Sequence, residues 1–191
     1  MGKDMIKLGL NLLIISAVAA LLLALTNSVT ADTIAQRSEQ ANAEARKLVL
    51  DFAETFEEVK DAKTDNSKGI EVAEIFEAKD ASGNTVGYTL KVLPSGYGGE
   101  IQLMVGIDSA NNQVSGINVV SNSETAGLGA KSTDPAFSDQ YKGKPLEELS
   151  VLKNGTPGDT EIKAISGATI TSTAVTNGVD AAIEVYNNSL K

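Results

Sequence analysis

An uncharged apolar segment near the N-terminus constrains the fold more than any other feature of the chain. Residues 8–25 carry no charge, and eleven of these 18 residues are Leu, Ile or Val. At about 1.5 Å per residue, a helix of this length spans roughly 27 Å, close to the hydrocarbon core of a bilayer. Each such side chain favours insertion by on the order of 0.3 to 0.6 kcal/mol, and together they outweigh the cost of one Asn, Asn11. The sequence therefore predicts a transmembrane helix.

The charges that flank this segment predict its orientation. Lys3 and Lys7 precede it, and the next basic residue is Arg37. Basic residues favour the cytoplasmic side, so we expect a cytoplasmic N-terminus, a single pass through the cell (inner) membrane and an extracytoplasmic main domain. A cleaved signal peptide is the alternative, because residues 29–31 (Val-Thr-Ala) resemble a cleavage site. The apolar run is longer than a typical signal-peptide core, which favours the uncleaved anchor.

Composition limits the chemistry that the chain can perform. It has 191 residues, with neither Cys nor His, so thiol catalysis, Ser–His triads and the usual zinc and haem ligand sets are excluded. We assign no catalytic residue and no metal ligand, and redox chemistry would need an organic cofactor. The 25 acidic residues outnumber the 16 basic ones, and a net negative charge argues against binding to nucleic acid.

The segment after the apolar run is predicted to be helical up to about residue 63. Its apolar residues recur at spacings of three and four, which is typical of an amphipathic helix. They are Ala45, Leu48, Val49, Phe52, Phe56 and Val59. Residues 32–46 are polar and would form a stalk, and the polar, Gly-ended stretch at 61–69 is the best linker candidate.

From residue 70 the pattern changes to that of an α+β domain. Strands are predicted at 70–78, 85–93, 99–107 and 113–120, and the short turns between them imply an antiparallel meander. A short amphipathic helix is predicted over 134–144, where Phe137 and Tyr141 are four apart, and another short segment over 145–152. A closing helix is predicted to start near residue 173, with an inward stripe of Val175, Val179, Ile183 and Tyr186.

The hydroxyl-rich loop Ser-Gly-Ala-Thr-Ile-Thr-Ser at 166–172, just before this helix, has two interpretations. Ser and Thr at a helix start are ordinary N-caps, and the pattern alone favours this. Alternatively, the free N–H groups and the helix dipole bind a phosphate. A nucleoside-triphosphate loop is disfavoured, because no Lys follows the Gly.

Three motifs together carry a family resemblance. They are SGATIT at 166–171, Glu-Thr-Ala-Gly-Leu-Gly at 124–129 and GYGGEIQLMVG at 96–106. With the N-terminal membrane helix, they closely resemble the FMN-binding G subunit of the Rnf ion-translocating electron-transport complex. They are also similar to the C subunit of the sodium-pumping NADH:quinone oxidoreductase. The resemblance implies that a flavin transferase joins the FMN phosphate to the Thr that follows Gly-Ala, here Thr169.

The resemblance also implies the remaining site residues. Ser166, Gly167, Ala168, Thr171 and Ser172 would surround the phosphate. Glu124, Thr125, Gly127, Leu128 and Gly129 would lie by the isoalloxazine. Tyr97 is either a flavin contact or a packing residue. This chain departs from the family at Ala126, where Pro is usual, and at Lys163, where an acidic residue is usual, a role that Glu161 or Asp159 could take.

The implied function is electron transfer from ferredoxin-linked subunits toward NAD, coupled to sodium or proton translocation. The implied partners are the other membrane and peripheral subunits and the flavin transferase. The implied division is a membrane anchor at 1–31, a helical stalk and linker at 32–68 and an FMN-binding domain at 69–191. Two alternatives stay open: the quinone-reductase C subunit, and a membrane-anchored binding or sensory module in which the Ser/Thr loop is only a helix cap.

Overall fold

A long N-terminal helix precedes the folded domain in the computed structural model, which describes residues 2–191. Met1, part of the predicted cytoplasmic N-terminus, lies outside the described residues, as does the Lys3 side chain. Helix α1 (Gly2–Val49) contains one window whose length and composition suit a membrane span. The chain divides into two compact units, one up to Ala41 and the other Asn42–Lys191. The predicted N-terminal apolar helix followed by an α+β domain is confirmed.

The second unit is built on a five-stranded antiparallel sheet in which the strand order follows the chain. The strands are β1 (Thr55–Glu58), β2 (Val72–Lys79), β3 (Thr85–Val92), β4 (Gln102–Asp108) and β5 (Gln113–Ser121). Short turns join most neighbours, which is why adjacent strands pair antiparallel. The four predicted strands correspond to β2–β5, so the predicted meander is confirmed.

Helix α3 (Thr169–Ser189) packs against β3 and β4 and closes the core. All four residues of its predicted inward stripe are buried, which confirms that stripe. The helix approaches the sheet closely at Gly178, where an added Cβ would lie 3.0 Å from Pro94 and 3.1 Å from Leu103. The middle of α3 therefore packs closely against the sheet.

The segment between β5 and α3 is mostly irregular. It contains the short helix α2 (Pro135–Ser138), two 3-10 turns and the parallel pair β6 (Ser150–Leu152) and β7 (Glu161–Lys163). The helix predicted over 134–144 is thus present only as α2 and a following 3-10 turn, and the chain leaves the helical conformation at Lys142 and at Gly143, which has a positive φ of 76°. Phe137 and Tyr141 are buried as expected, with their rings packed edge to face.

The helix predicted to continue to residue 63 is wrong beyond Val49. Leu48 and Phe52, which the helical stripe placed inside, are 68% and 47% exposed, whereas Leu50 is fully buried. The chain leaves the helix to bury Leu50, and Phe56 then lies in β1 at the edge of the sheet. The division at residues 31 and 68 stays a prediction.

The stretch predicted as a linker, 61–69, is bonded to α3. Ser67 donates both its N–H and its hydroxyl to Glu184, at 2.9 and 2.6 Å. Farther along the helix, Ser189 donates its hydroxyl to the Lys63 carbonyl at 2.9 Å. The stretch therefore forms a strap across the second half of α3.

Candidate functional site

The start of α3 leaves backbone donors available for a ligand. Gly167 adopts a left-handed φ of 78°, and Ala168 then becomes the N-cap, with no side-chain cap bond. Within the described chain, the N–H groups of residues 169–171 have no acceptor. The interpretation of the loop as an ordinary Ser/Thr cap is therefore wrong, because an Ala occupies the capping position. These N–H groups and the helix dipole make this helix end positive.

The hydroxyls of Thr171 and Ser172 point into the protein. Thr171 is 1% exposed and donates to Glu124 Oε2 at 2.7 Å. Ser172, fully buried, donates to the Ala168 carbonyl and accepts the Ile165 N–H, both at 2.9 Å. Both hydroxyl hydrogens are thus used within the chain, where they fix the shape of the loop before α3.

Glu124 connects the three motifs that the sequence singled out. Its Oε2 accepts the Thr171 hydroxyl, and its Oε1 accepts the Gly98 N–H at 3.0 Å. The Glu124 N–H donates to Asn122 Oδ1 at 3.0 Å, which shapes the turn after β5. One side chain therefore joins the 96–99 loop, the 124–129 segment and the first turn of α3.

A cavity of about 610 Å³ lies where these segments meet. Most of the predicted site residues line it: Tyr97, Glu124, Thr125, Leu128, Gly129, Gly167, Ala168, Thr169 and Thr171. Ser166 and Gly127 are exposed and Ser172 is buried, and none of these three lines the cavity. Ile170 also lines it and was missed as a site residue, although it stands inside the quoted motif.

Three large apolar side chains surround the cavity mouth. Tyr97 is 71% exposed, Ile170 58% and Leu128 42%. The interpretation of Tyr97 as a packing residue is therefore wrong, because most of its side chain lies outside the core, beside the cavity. Exposed apolar groups that border a cavity are typical of a ligand site.

Thr169 stands between this cavity and a neighbouring groove of about 300 Å³. The groove is lined by Ser95, Thr169, Ile170, Thr173, Ala174 and Asn177. Thr169 is half-buried, at the first position of α3. Thr169 therefore borders the cavity on one side and the groove on the other.

The cavity lining has no basic side chains that could bind an anion, among the residues that the structure describes. Among the described residues that line it there is no Lys or Arg. Lys163 lines a separate cavity of about 190 Å³ with Lys131, and its N–H donates to Gln140 Oε1. The Glu161 carboxylate accepts the Gly158 N–H at 2.9 Å, so it is engaged within its own loop.

The features of this site fit FMN. The volume lies within the roughly 300–1,000 Å³ of ordinary ligand pockets. The uncapped start of α3 can bind a phosphate, and the apolar side chains at the mouth suit an aromatic ring system.

Another carboxylate, which belongs to α3 itself, has surroundings different from those of Glu124. Asp180 is 5% exposed, and its Oδ1 accepts the Leu149 N–H at 2.8 Å, whereas Oδ2 has no hydrogen-bond donor. Lys68 Nζ lies 3.9 Å from Oδ2 and 2.6 Å from Glu148. Burial raises the pKa of Asp180 to about 6, against the opposing effects of the Leu149 bond and Lys68.

Two family models match the chain. The FMN-binding domain model matches residues 96–184, which include every residue that lines the cavity. The RnfG N-terminal region model matches residues 1–49, which correspond to α1. The cavity therefore belongs to an FMN-binding domain.

Relatives match over nearly the full length. The G subunit of the Na⁺-translocating ferredoxin:NAD⁺ oxidoreductase complex of Acetobacterium woodii is 47% identical, over 99% of this chain and 95% of that protein. The G subunit of an ion-translocating oxidoreductase complex of Methanosarcina acetivorans is 38% identical, over 96% and 95%. The G subunit of the proton-translocating complex of Clostridium ljungdahlii is 30% identical, over 91% and 87%. The chain belongs to the RnfG family, the G subunits of ion-translocating oxidoreductase complexes.

Solved structures of a related protein share the fold. NqrC of Shewanella oneidensis superposes with a TM-score of 0.54 at 26% identity, over 60% of this chain and 58% of that one. The C subunit of the Na⁺-translocating NADH-quinone reductase of Parabacteroides distasonis gives a TM-score of 0.59 at 20% identity, over 82% and 94%. Because the G subunits match at higher identity over nearly the whole chain, the quinone-reductase alternative fits less well.

Proposed function

We propose that this chain is the electron-transfer subunit of an ion-translocating ferredoxin:NAD⁺ oxidoreductase complex and that it carries FMN covalently on Thr169. The observation that carries the proposal is the cavity at the uncapped start of α3, where the three motifs meet beside Thr169. Membership of the RnfG family supplies the class of complex. FMN supplies one- and two-electron redox chemistry when bound, and the protein supplies its position and surroundings.

The chain's own groups would bind FMN in two ways. The free N–H groups of residues 169–171 would donate to the phosphate, and Tyr97, Leu128 and Ile170 would contact the apolar ring. Thr125, Gly129 and Gly167 contribute lining that allows close approach. Thr171 and Ser172 would act indirectly, because their hydroxyl hydrogens bond within the chain.

A covalent bond explains how so modest an anion site could retain its cofactor. An exposed helix start contributes about 0.3 to 1 kcal/mol to an anion, whereas micromolar retention requires about 8 kcal/mol. In the proposed maturation, Thr169 Oγ1 attacks the FMN phosphorus of a flavin dinucleotide. The new O–P bond forms, the phosphoanhydride bond breaks, the nucleoside monophosphate leaves, and the hydroxyl proton passes to solvent or to the transferase.

The proposed partners are the other membrane and peripheral subunits of the complex and the flavin transferase. Relatives in this family are named for sodium and for proton translocation alike. The family assignment therefore applies to either coupling ion.

We also propose that α1 passes the membrane once, with a cytoplasmic N-terminus. A cysteine introduced as Ser82→Cys, in an exposed turn of a chain without native Cys, tests this directly. Thiol reagents that cannot cross membranes should label it in intact protoplasts. Labelling that appears only after lysis would reverse the orientation.

The covalent assignment is tested by co-expressing the full chain with an active flavin transferase. Wild type should gain the mass of FMN and give a fluorescent band after denaturation, and Thr169→Ala should lose both completely, because the acceptor oxygen is gone. Thr173→Ala, one turn further along the exposed face of α3, is the matched control and should stay labelled. A dark wild type, with the transferase active on another substrate, would favour the non-redox binding module instead.

A further inference from the structure

The Glu124 carboxylate occupies a space that two glycines keep open. A Cβ added to Gly96 would overlap Glu124 Oε1, and one added to Gly129 would overlap Glu124 Oε2 and crowd Thr171 Oγ1. No larger residue fits at either position while the carboxylate keeps its two hydrogen bonds. The side chain of Glu124 therefore explains why residue 96 in one motif and residue 129 in another are both glycines.

Both oxygens of this carboxylate already bind donors from other segments. Oε1 accepts from Gly98 in the loop that carries Tyr97, and Oε2 accepts from Thr171 in the turn that begins with Thr169. If the side chain rotated toward a ligand, both of these charge-assisted bonds would be lost. Its place in the cavity wall is thus that of a connection between segments.

We propose that Glu124 is a positioning residue that holds the acceptor turn of α3 in register with the loop that carries Tyr97. It acts on the flavin site through Thr171 and Gly98, which it fixes, and makes no required contact with the cofactor. This inference rests on the proposed function, because it assumes that Thr169 receives FMN. A displacement of the acceptor oxygen by about 1 Å is enough to slow a transfer reaction on the order of 100-fold.

The test is the initial rate at which full-length chain in detergent gains the mass of FMN from FAD and purified flavin transferase. Glu124→Ala and Thr171→Val should each slow labelling by about tenfold or more, because each removes the same bond. The double variant should be no slower than Glu124→Ala alone, since the bond is already absent. Thr173→Val, on the exposed face of α3 one turn after Thr169, should label at the wild-type rate.

Glu124→Gln separates positioning from a direct electrostatic role. The amide oxygen can still accept from Gly98, and its NH₂ can donate to a Thr171 hydroxyl that now accepts. We therefore expect labelling within about threefold of wild type, in spite of the lost charge. Slowing as severe as in Glu124→Ala would overturn the proposal, as would a Thr171→Val chain that labels at the wild-type rate.

The outcomes also separate this inference from the proposed function. A wild type that fails to gain FMN, with the transferase active on a control substrate, overturns both. A wild type labelled on Thr169 whose rate is unchanged in Glu124→Ala overturns only the role of Glu124. Thr171→Val removes a single hydroxyl, so it still decides the question if Glu124→Ala fails to fold.

Discussion

Two carboxylates lie at different points along α3, Glu124 against its first turn and Asp180 within the helix itself, and they differ in how their oxygens are used. Glu124, beside the first turn, has a donor on each oxygen and joins loops around the cavity. Asp180, farther along the helix, has a donor on one oxygen, while the other is buried without one. A carboxylate that accepts a hydrogen bond on each oxygen fixes its neighbours in place. A buried carboxylate with one oxygen that lacks a donor has a raised pKa, so its charge depends on pH. The same helix thus has a fixed end at the cavity and a pH-sensitive half under the strap.

The largest effect in this comparison is expected from Gly129→Ala. The added Cβ would displace the Glu124 carboxylate and separate it from Thr171. Overpacking of this kind costs about 1–3 kcal/mol in the free energy of unfolding. Covalent FMN labelling should fall by about tenfold or more, measured by intact mass together with chemical denaturation.

Gly116→Ala is the matched control for that substitution. Its Cβ would meet only Lys142, with the nearest atom at 3.7 Å, which is ordinary contact. Stability and labelling should both stay close to wild type. If Gly129→Ala behaved like this control, the carboxylate would be free to move, and the contrast with Asp180 would fail.

A different, pH-dependent effect on stability is expected from Asp180→Asn. The folded-state pKa of about 6 exceeds the unfolded value of about 3.9, so the folded protein holds the proton more tightly. The stabilisation that protonated Asp180 contributes is therefore fully present below about pH 4. It decreases as the pH rises to about 6, by up to about 3 kcal/mol in the free energy of unfolding. The free energy of unfolding of the variant, relative to wild type, should increase over that interval and level off above it.

Lys68→Met sharpens this prediction. Lys68 lowers the pKa of Asp180, so its removal should move the transition to a pH above 6. Denaturant titrations from pH 4 to pH 8 measure both variants. A wild-type profile parallel to that of Asp180→Asn, or a transition that moves to lower pH in Lys68→Met, would contradict the assignment to this carboxylate.

The elements that could be predicted from sequence are those that local patterns determine. Alternating apolar residues and turn chemistry located β2–β5, and helical spacing located the buried stripe of α3. Most of the cavity lining was indicated by the family resemblance that the loop motifs carry, whereas the local pattern of these loops alone favoured a glycine-rich turn and a helix cap. The Thr169 acceptor remains a prediction that rests on the family motif.

The elements that were missed depend on contacts between distant residues. Phe56 fits a helical stripe equally well, and only its pairing with Ala78 places it in a strand. The bond from Glu124 to Thr171 joins residues 47 positions apart, and no local pattern reports it. One miss has a local cause instead: Ala168 becomes the N-cap because the chain turns at Gly167, whereas the hydroxyl residues around it suggested a Ser/Thr cap.

The strand order of the five-stranded sheet affects when the flavin-acceptor turn forms during folding. Strands that neighbour one another in sequence also pair in space, so we expect the sheet to assemble through short loop closures. The acceptor turn gains its shape only when the last 23 residues pack onto that sheet and Thr171 reaches Glu124. A transferase that recognises this turn would meet its substrate only on chains whose C-terminal helix has docked. The covalent flavin would then mark chains that have completed folding before they join the complex.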